Sequence, residues 1–491
     1  MRRLGFIAVI VALIGLSPLS AFAAGAGARS AASVIAAATK AIGAEGLSSI
    51  KLWGSGASFG IGQNNNPDGP WPRTNLNDYY RSIDFERSAS KATAVTWAAP
   101  VTGGPAVQGA FNQIVTPANQ AWGQQLEIWT TPWGFLKGAA QNHATVSSQV
   151  IGGRPYKVVT WMTPQTSPSG LHYKVVGYIG PTNLVEKVRT WVEHPVFGDM
   201  LVESVYSDWR DLGGLMFPST MTQARAGHDV LEAQILGVAA NPADIVKLTE
   251  ASGPPPGPPP GAGAPAKGPT SEKLADGVWR INGAYNALAV EFRDYALIFE
   301  PGPQNEARAQ AIIAETRRLI PGKPIRYGVI THHHIDHTGG LEAVAAEGIT
   351  IVTPQINKAF LEKALGGPRT LAPDALAKSG RKPIVEGFLG DKRVFTDGTR
   401  TFEVHRIRGL PHADGLVIGW LPKEKILVYA DMFNLPPASA PVPNPPVVGT
   451  QVFLANLERL KIEPERIVSI HSLSPDRLAT MDDIRASLGL K

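Results

Sequence analysis

Thr331-His-His-His-Ile-Asp-His-Thr-Gly-Gly340 decides how the second half of this chain is read. It carries His332, His334, Asp336 and His337 in the order H-x-H-x-D-H, immediately after Ile325-Arg-Tyr-Gly-Val-Ile330, a run with the composition of a strand. At a strand end this spacing lets alternate side chains on one side of the loop converge, while the adjacent Asp and His turn toward a second point. That geometry suits two cations a few ångströms apart. His333 sits at an x position and is expected to point away, in a structural or supporting role. The chain has no cysteine, so thiolate ligands, disulfides, cysteine nucleophiles and iron–sulfur clusters are excluded, and a metal site must be built from His, Asp and Glu.

Working outward, Val278-Trp-Arg-Ile281, Ala287-Leu-Ala-Val-Glu-Phe292 and Ala296-Leu-Ile-Phe299 read as strands, and 305–320 has helical spacing. Strands alternating with helices predict an α/β fold over 271–491, with sheets covered by helices. Residues 251–270, ASGPPPGPPPGAGAPAKGPT, contain eight prolines and five glycines and are expected to form a semi-rigid linker. Residues 24–250 read as a mostly β domain, with alternation at 80–87 and 188–192 between Gly, Pro and Asn turns. Nine of the eleven tryptophans (Trp53, Trp71, Trp97, Trp122, Trp129, Trp133, Trp161, Trp191 and Trp209) lie in it, and are expected to pack a curved sheet. Residues 1–23 have the pattern of a cleaved export signal: Arg2-Arg3, an apolar core from Leu4 to Leu16, and Ala21-Phe22-Ala23. The mature protein is then expected in the periplasm or secreted, by the Sec or the twin-arginine route, with no stable membrane span.

The formal net charge of +5 falls to +3 once Arg2 and Arg3 are removed, 44 basic residues against 41 acidic. That balance is too small to argue for nucleic acid as a partner; a small-molecule substrate is expected, and the oligomeric state is left open. His143, His172, His194 and His228 lack ligand spacing and read as ordinary surface or core residues. His405 is explained by strand alternation over 401–408.

The H-x-H-x-D-H segment resembles the signature of the metallo-β-lactamase superfamily, whose fold is a four-layer αβ/βα sandwich around a dinuclear metal site. The resemblance implies three further ligands in chain order: His412 in Gly409-Leu-Pro-His-Ala-Asp-Gly415, Asp431 after Ile426-Leu-Val-Tyr-Ala430, and His471 after Ile467-Val-Ser-Ile470. It implies that His332, His334 and His412 hold one ion and Asp336, His337 and His471 the other, with Asp431 between them. Zinc is the expected metal, with iron or manganese as alternatives. The implied nucleophile is a hydroxide shared by the two ions, with Asp336 as the catalytic residue that orients it and accepts its proton. The late segments of the N-terminal domain, 200–209, 216–220 and 230–235 with Asn241, resemble the closing strands of lipoprotein-carrier-like periplasmic half-barrels.

With Asp431 present and cysteine absent, the site more nearly resembles the glyoxalase-II-like and lactonase-like branches of that superfamily than its lactamases, which implies ester, lactone or thioester hydrolysis ahead of β-lactam hydrolysis; phosphodiester or sulfate-ester hydrolysis is a further alternative. The lactonase branch commonly has a tyrosine just after the bridging Asp, where this chain has Met432-Phe433-Asn434. The glyoxalase-II branch adds a helical C-terminal domain with basic residues for glutathione, an assignment that the roughly twenty residues after His471 do not support. The proline-rich stretch 435–449 is expected either to shape the substrate mouth, with Phe433, Leu435 and Val442 favouring an apolar acyl group, or to connect to a helix at 450–461. A non-enzymatic reading makes the N-terminal domain a carrier of a lipid-like ligand.

Overall fold

The computed structural model describes residues 31–100, 103–250, 269–436 and 441–490. The signal-like segment 1–23, residues 251–268 of the proline-rich linker, and 437–440 of the loop after Asp431 lie outside the described residues.

Residues 31–250 build one eleven-stranded sheet, antiparallel throughout, preceded by a helix over 31–41. Its first strand, Ser49–Phe59, pairs with both Arg73–Asp84 and the last strand, His228–Ala240. Two helices absent from the sequence reading, Trp122–Trp129 and Pro132–Gln141, lie on its inner face. The second begins as local chemistry dictates: Pro132 occupies the first turn, and the Thr131 side chain accepts from Gly134 N at 3.2 Å. Helix Trp122–Trp129 touches both strand Ala89–Ala98 and strand Val185–His194, six positions apart in the sheet. In a flat sheet those strands would stand about 29 Å apart, whereas an eight-residue helix is about 12 Å long. The sheet therefore curls around its helices.

Trp122, Trp133 and Trp161 fill that curl with Tyr79, Phe135 and Val188, and Trp122 Nε1 donates to Thr190 Oγ1 at 3.0 Å. Trp122, Trp129 and Trp133 thus pack against the sheet from helices rather than from within it. A cavity lined by Tyr79, Arg81, Glu127, Tyr206 and Gln223 measures about 20 Å³, room for about one water molecule and none for an acyl chain.

Residues 269–490 form two further sheets. The larger runs 271–275, 278–281, 287–291, 296–299, 325–329, 350–354, 385–388, antiparallel at first and parallel from 296–299 onward. The smaller runs 392–396, 401–406, 417–421, 426–429, 466–469. Their facing sides share one apolar core including Val290, Phe299, Val329, Phe402, Val428 and Val468. Helix Glu306–Leu319 covers the outer face of the first sheet and helix Val448–Leu460 that of the second. The result is a helix–sheet–sheet–helix sandwich. Asn305 caps the first of these helices, accepting from Arg308 N at 3.0 Å. Among the described residues no helix is long and apolar enough to cross a membrane.

Candidate metal centre

Four parallel-strand or loop ends deliver the cluster. Strand Ile325–Val329 leads into His332 and His334, and the four-residue helix Ile335–Thr338 turns Asp336 and His337 the other way. Asp431 follows strand Ile426–Tyr429 with φ +59°, a left-handed conformation that Asp tolerates. His471 follows strand Arg466–Ser469, and His412 precedes Val417–Leu421.

All seven side chains named from the sequence come together. His332, His334 and His412 offer ligand atoms within 4.8 Å of one another, as do Asp336, His337 and His471, and as do His332, His337 and Asp431. Asp431 lies between the two sets: its Oδ2 is 2.9 Å from His337 Nε2, 3.6 Å from His332 Nε2 and 3.7 Å from His412 Nε2, while Oδ1 is 2.8 Å from His471 Nε2.

The donor set fits metal ions. Two nitrogens bound to one tetrahedral zinc at about 2.05 Å stand about 3.3 Å apart. His332 Nε2 and His412 Nε2 are 3.3 Å apart, and so are His337 Nε2 and His471 Nε2. Burial, and then the neighbouring histidines, hold His332 well below its usual range and His334 at about 3; burial also depresses His412. These three imidazoles are neutral and present lone pairs. His337 is the exception, because Asp431 and Glu300 outweigh its burial and raise it. Asp431 is buried too, yet the His337 charge and hydrogen bonds keep it ionised.

A family model described as the metallo-beta-lactamase superfamily matches residues 280–465. This chain carries a metallo-β-lactamase-superfamily domain. Similar solved structures include a metallo-β-lactamase from Pontibacter korlensis, 21% identical over 45% of this chain and 98% of that one, with a TM-score of 0.32. Others are a metallo-β-lactamase from Pseudomonas aeruginosa in a mono-zinc form (16%, 45% and 94%, TM-score 0.32) and rubredoxin oxygen:oxidoreductase from Desulfovibrio gigas (18%, 45% and 61%, TM-score 0.34). No curated protein matched the chain.

Around the cluster of this metallo-β-lactamase-fold domain stand residues that sequence reasoning missed. Glu300, fully buried, accepts from Thr331 N at 3.1 Å and holds His337 Nδ1 at 2.8 Å. That partner leaves His337 Nε2 facing the cluster. The signal was a carboxylate directly after the apolar strand Ala296–Phe299. Tyr285 donates its hydroxyl to Asp336 Oδ2 at 2.9 Å, and its ring lies 4.4 Å from that of His471. Burial, followed by the Asp336 charge, keeps the phenol protonated. Gln63, from the N-terminal domain, donates through Nε2 to Asp336 Oδ1 at 2.9 Å.

The remaining histidines stay out of the metal groupings found among the described residues. His333 packs edge-on against Phe360. His405 pairs with Glu403 at 2.8 Å on its own strand, and His228 stacks on Trp71. One expectation is corrected. Phe433 does not line a substrate mouth: it is buried in the core beneath helix Val448–Leu460, and Leu435 packs against the same cluster. Val442 remains exposed.

Proposed function

We propose that this protein is an exported dinuclear metal hydrolase, zinc-dependent, acting on the carbonyl of a small ester, lactone or thioester. The observation that carries the reading is the pair of 3.3 Å imidazole contacts flanking Asp431. His332, His334 and His412 would hold one ion, Asp336, His337 and His471 the second, and Asp431 both. When bound, two such ions lower the pKa of a water between them and polarise the substrate oxygen.

The chain's own groups supply the rest. Asp336 is held at both oxygens, by Gln63 and by Tyr285, so its carboxylate is oriented before substrate arrives. Burial opposes its charge, but the His337 charge together with the hydrogen bonds from Gln63 and Tyr285 keeps it ionised, and it accepts the proton of the attacking water. The Tyr285 hydroxyl spends its one proton on Asp336 Oδ2, so its role is to fix that carboxylate. Export rests on the basic, apolar and small-residue pattern of residues 1–23.

Elemental analysis of the purified protein tests the reading, paired with hydrolysis of nitrocefin, an aryl ester, an acyl lactone, a thioester and bis-p-nitrophenyl phosphate. About two metal ions per chain are expected, with activity on a carbonyl substrate reduced at least about 100-fold in His334→Ala. Protein that takes up no metal and stays inactive when zinc is added would overturn it.

A further inference from the structure

One wall of the metal cluster comes from the other domain. Between strands Ser49–Phe59 and Arg73–Asp84 the chain runs Gly60-Ile-Gly-Gln-Asn-Asn-Asn-Pro-Asp-Gly-Pro-Trp-Pro72, and three consecutive residues of this loop contact the site. Gln63 holds Asp336 Oδ1. The Asn64 carbonyl lies 2.9 Å from His334 Nε2. Asn65 donates through Nδ2 to Pro411 O at 2.8 Å and Leu410 O at 3.2 Å, and its own carbonyl accepts from Asp414 N at 2.7 Å. The loop thus grips the segments on both sides of the cluster, 334–336 and 410–414.

The contact at His334 has a chemical consequence. A carbonyl can only accept, so His334 Nε2 must carry the proton and Nδ1 the lone pair. His334 Nδ1 is buried and has no hydrogen-bond partner, which is the disposition a metal ligand needs.

The loop is also built to stay in place. Asn64 Nδ2 donates to Asn66 O and Gly69 O, Gly60 N to Pro72 O, and Trp71 is buried against His228 and Phe197. Gly62, at φ +63°, passes so close to the motif that a Cβ there would lie 2.3 Å from Ile335 Cγ2. From the connection between the next two strands, at the same edge of the sheet, a Cβ on Gly103 would lie 2.8 Å from Pro411 Cγ.

From these contacts we infer that the N-terminal domain is a structural part of the metal centre: Gln63 is a positioning residue for Asp336, and the Asn64 carbonyl, clamped by Asn65, sets the tautomer and direction of His334. Metal affinity then depends on docking of the two domains. The inference rests on the two-ion reading above.

The test is titration of the full chain with Zn(II) against a chromophoric chelator, and with Co(II) followed by its visible absorption, for wild type, Gln63→Met, Asn65→Ala and His334→Ala. Gln63→Met keeps the length of the side chain and removes the donor. It is expected to weaken one ion about 10- to 100-fold and to shift the Co(II) spectrum, while the melting temperature of the metal-free protein stays unchanged. Asn65→Ala is expected to weaken the other ion by a similar factor. Wild-type affinity and spectra in both loop variants, with metal lost in His334→Ala, would overturn the inference alone. Wild-type affinity in His334→Ala would instead overturn the metal assignment beneath it.

Discussion

Glu300 shows how a single side chain can govern the cluster without touching a substrate. It is fully buried, it terminates a core strand, and its two oxygens go to Thr331 N and His337 Nδ1. Both partners belong to the segment that bears the ligand motif, so the carboxylate anchors the loop and aims the ring in one stroke. Glu300→Gln keeps the shape but places a neutral amide against His337 Nδ1. Metal affinity is expected to drop about 10- to 100-fold, read by chelator competition; unchanged affinity would show that the ring is held by packing alone. At this scale the H-x-H-x-D-H spacing was legible because its four side chains are local to one strand end. Gln63 was not, because it lies 273 residues from the Asp336 it contacts, and a lone Gln in a turn carries no spacing signal. Tyr285 escaped for the same reason, at a separation of 51 residues.

The elements of the C-terminal domain followed periodicity closely. The helix expected at 305–320 spans Glu306–Leu319, and that expected at 450–461 spans Val448–Leu460. The N-terminal helices Trp122–Trp129 and Pro132–Gln141 were hidden by composition, since they are short and interrupted by Trp, Phe and Gly, which suit a strand or turn as well as a buried helix. One element has an unexpected role. The connector 367–374 leaves helix Gln355–Gly366 and enters the other domain, where Leu371 joins the N-terminal core. Arg369, almost fully buried, donates to the carbonyls of Pro195, Val196 and Ala364 and pairs with Asp374 at 2.8 Å. Asp199 answers from the other side, accepting from Thr370 N, Thr370 Oγ1 and Leu371 N. Arg369→Ala would leave those carbonyls and Asp374 without their partner, at a cost of about 3 kcal/mol. Denaturant unfolding followed by tryptophan fluorescence, which reports chiefly on the N-terminal domain, checks this. A midpoint equal to wild type would mean that the connector is not a structural bond between the domains.

The whole molecule is two domains docked over the His and Asp cluster on one side and over the Arg369 connector on another. Between them lies a cavity of about 310 Å³, lined by residues that include His194, Asp199, Glu306, Glu342 and Arg369. Burial pushes the Glu342 carboxyl up to about 8 from its usual 4.5. Below about 4.5 the group is protonated in both folded and unfolded chains, and its contribution does not change with pH. Between 4.5 and 8 the folded state alone retains the proton, so stability falls as pH rises, by up to about 1.4 kcal/mol per unit, and the loss is complete above 8. Glu342→Gln removes that dependence. The difference in melting temperature, variant minus wild type, is therefore expected to grow from pH 5 to pH 8, and parallel curves would show that Glu342 titrates normally.

By itself the sequence determined the fold class of 271–491 and named a set of candidate metal ligands. Ligand spacing, strand alternation and the lack of cysteine are local properties, set by neighbours within a few residues along the chain. It also marked a β-rich partner domain and a proline-rich tether, and left open whether the two domains touch. Only the tertiary structure decided that they do, and that a turn of the first domain reaches Asp336 and His334 of the second. Such a contact depends on where a curled eleven-stranded sheet sets down one of its loops. That position is the sum of eleven strand registers and two packed helices, and no short stretch of sequence encodes it.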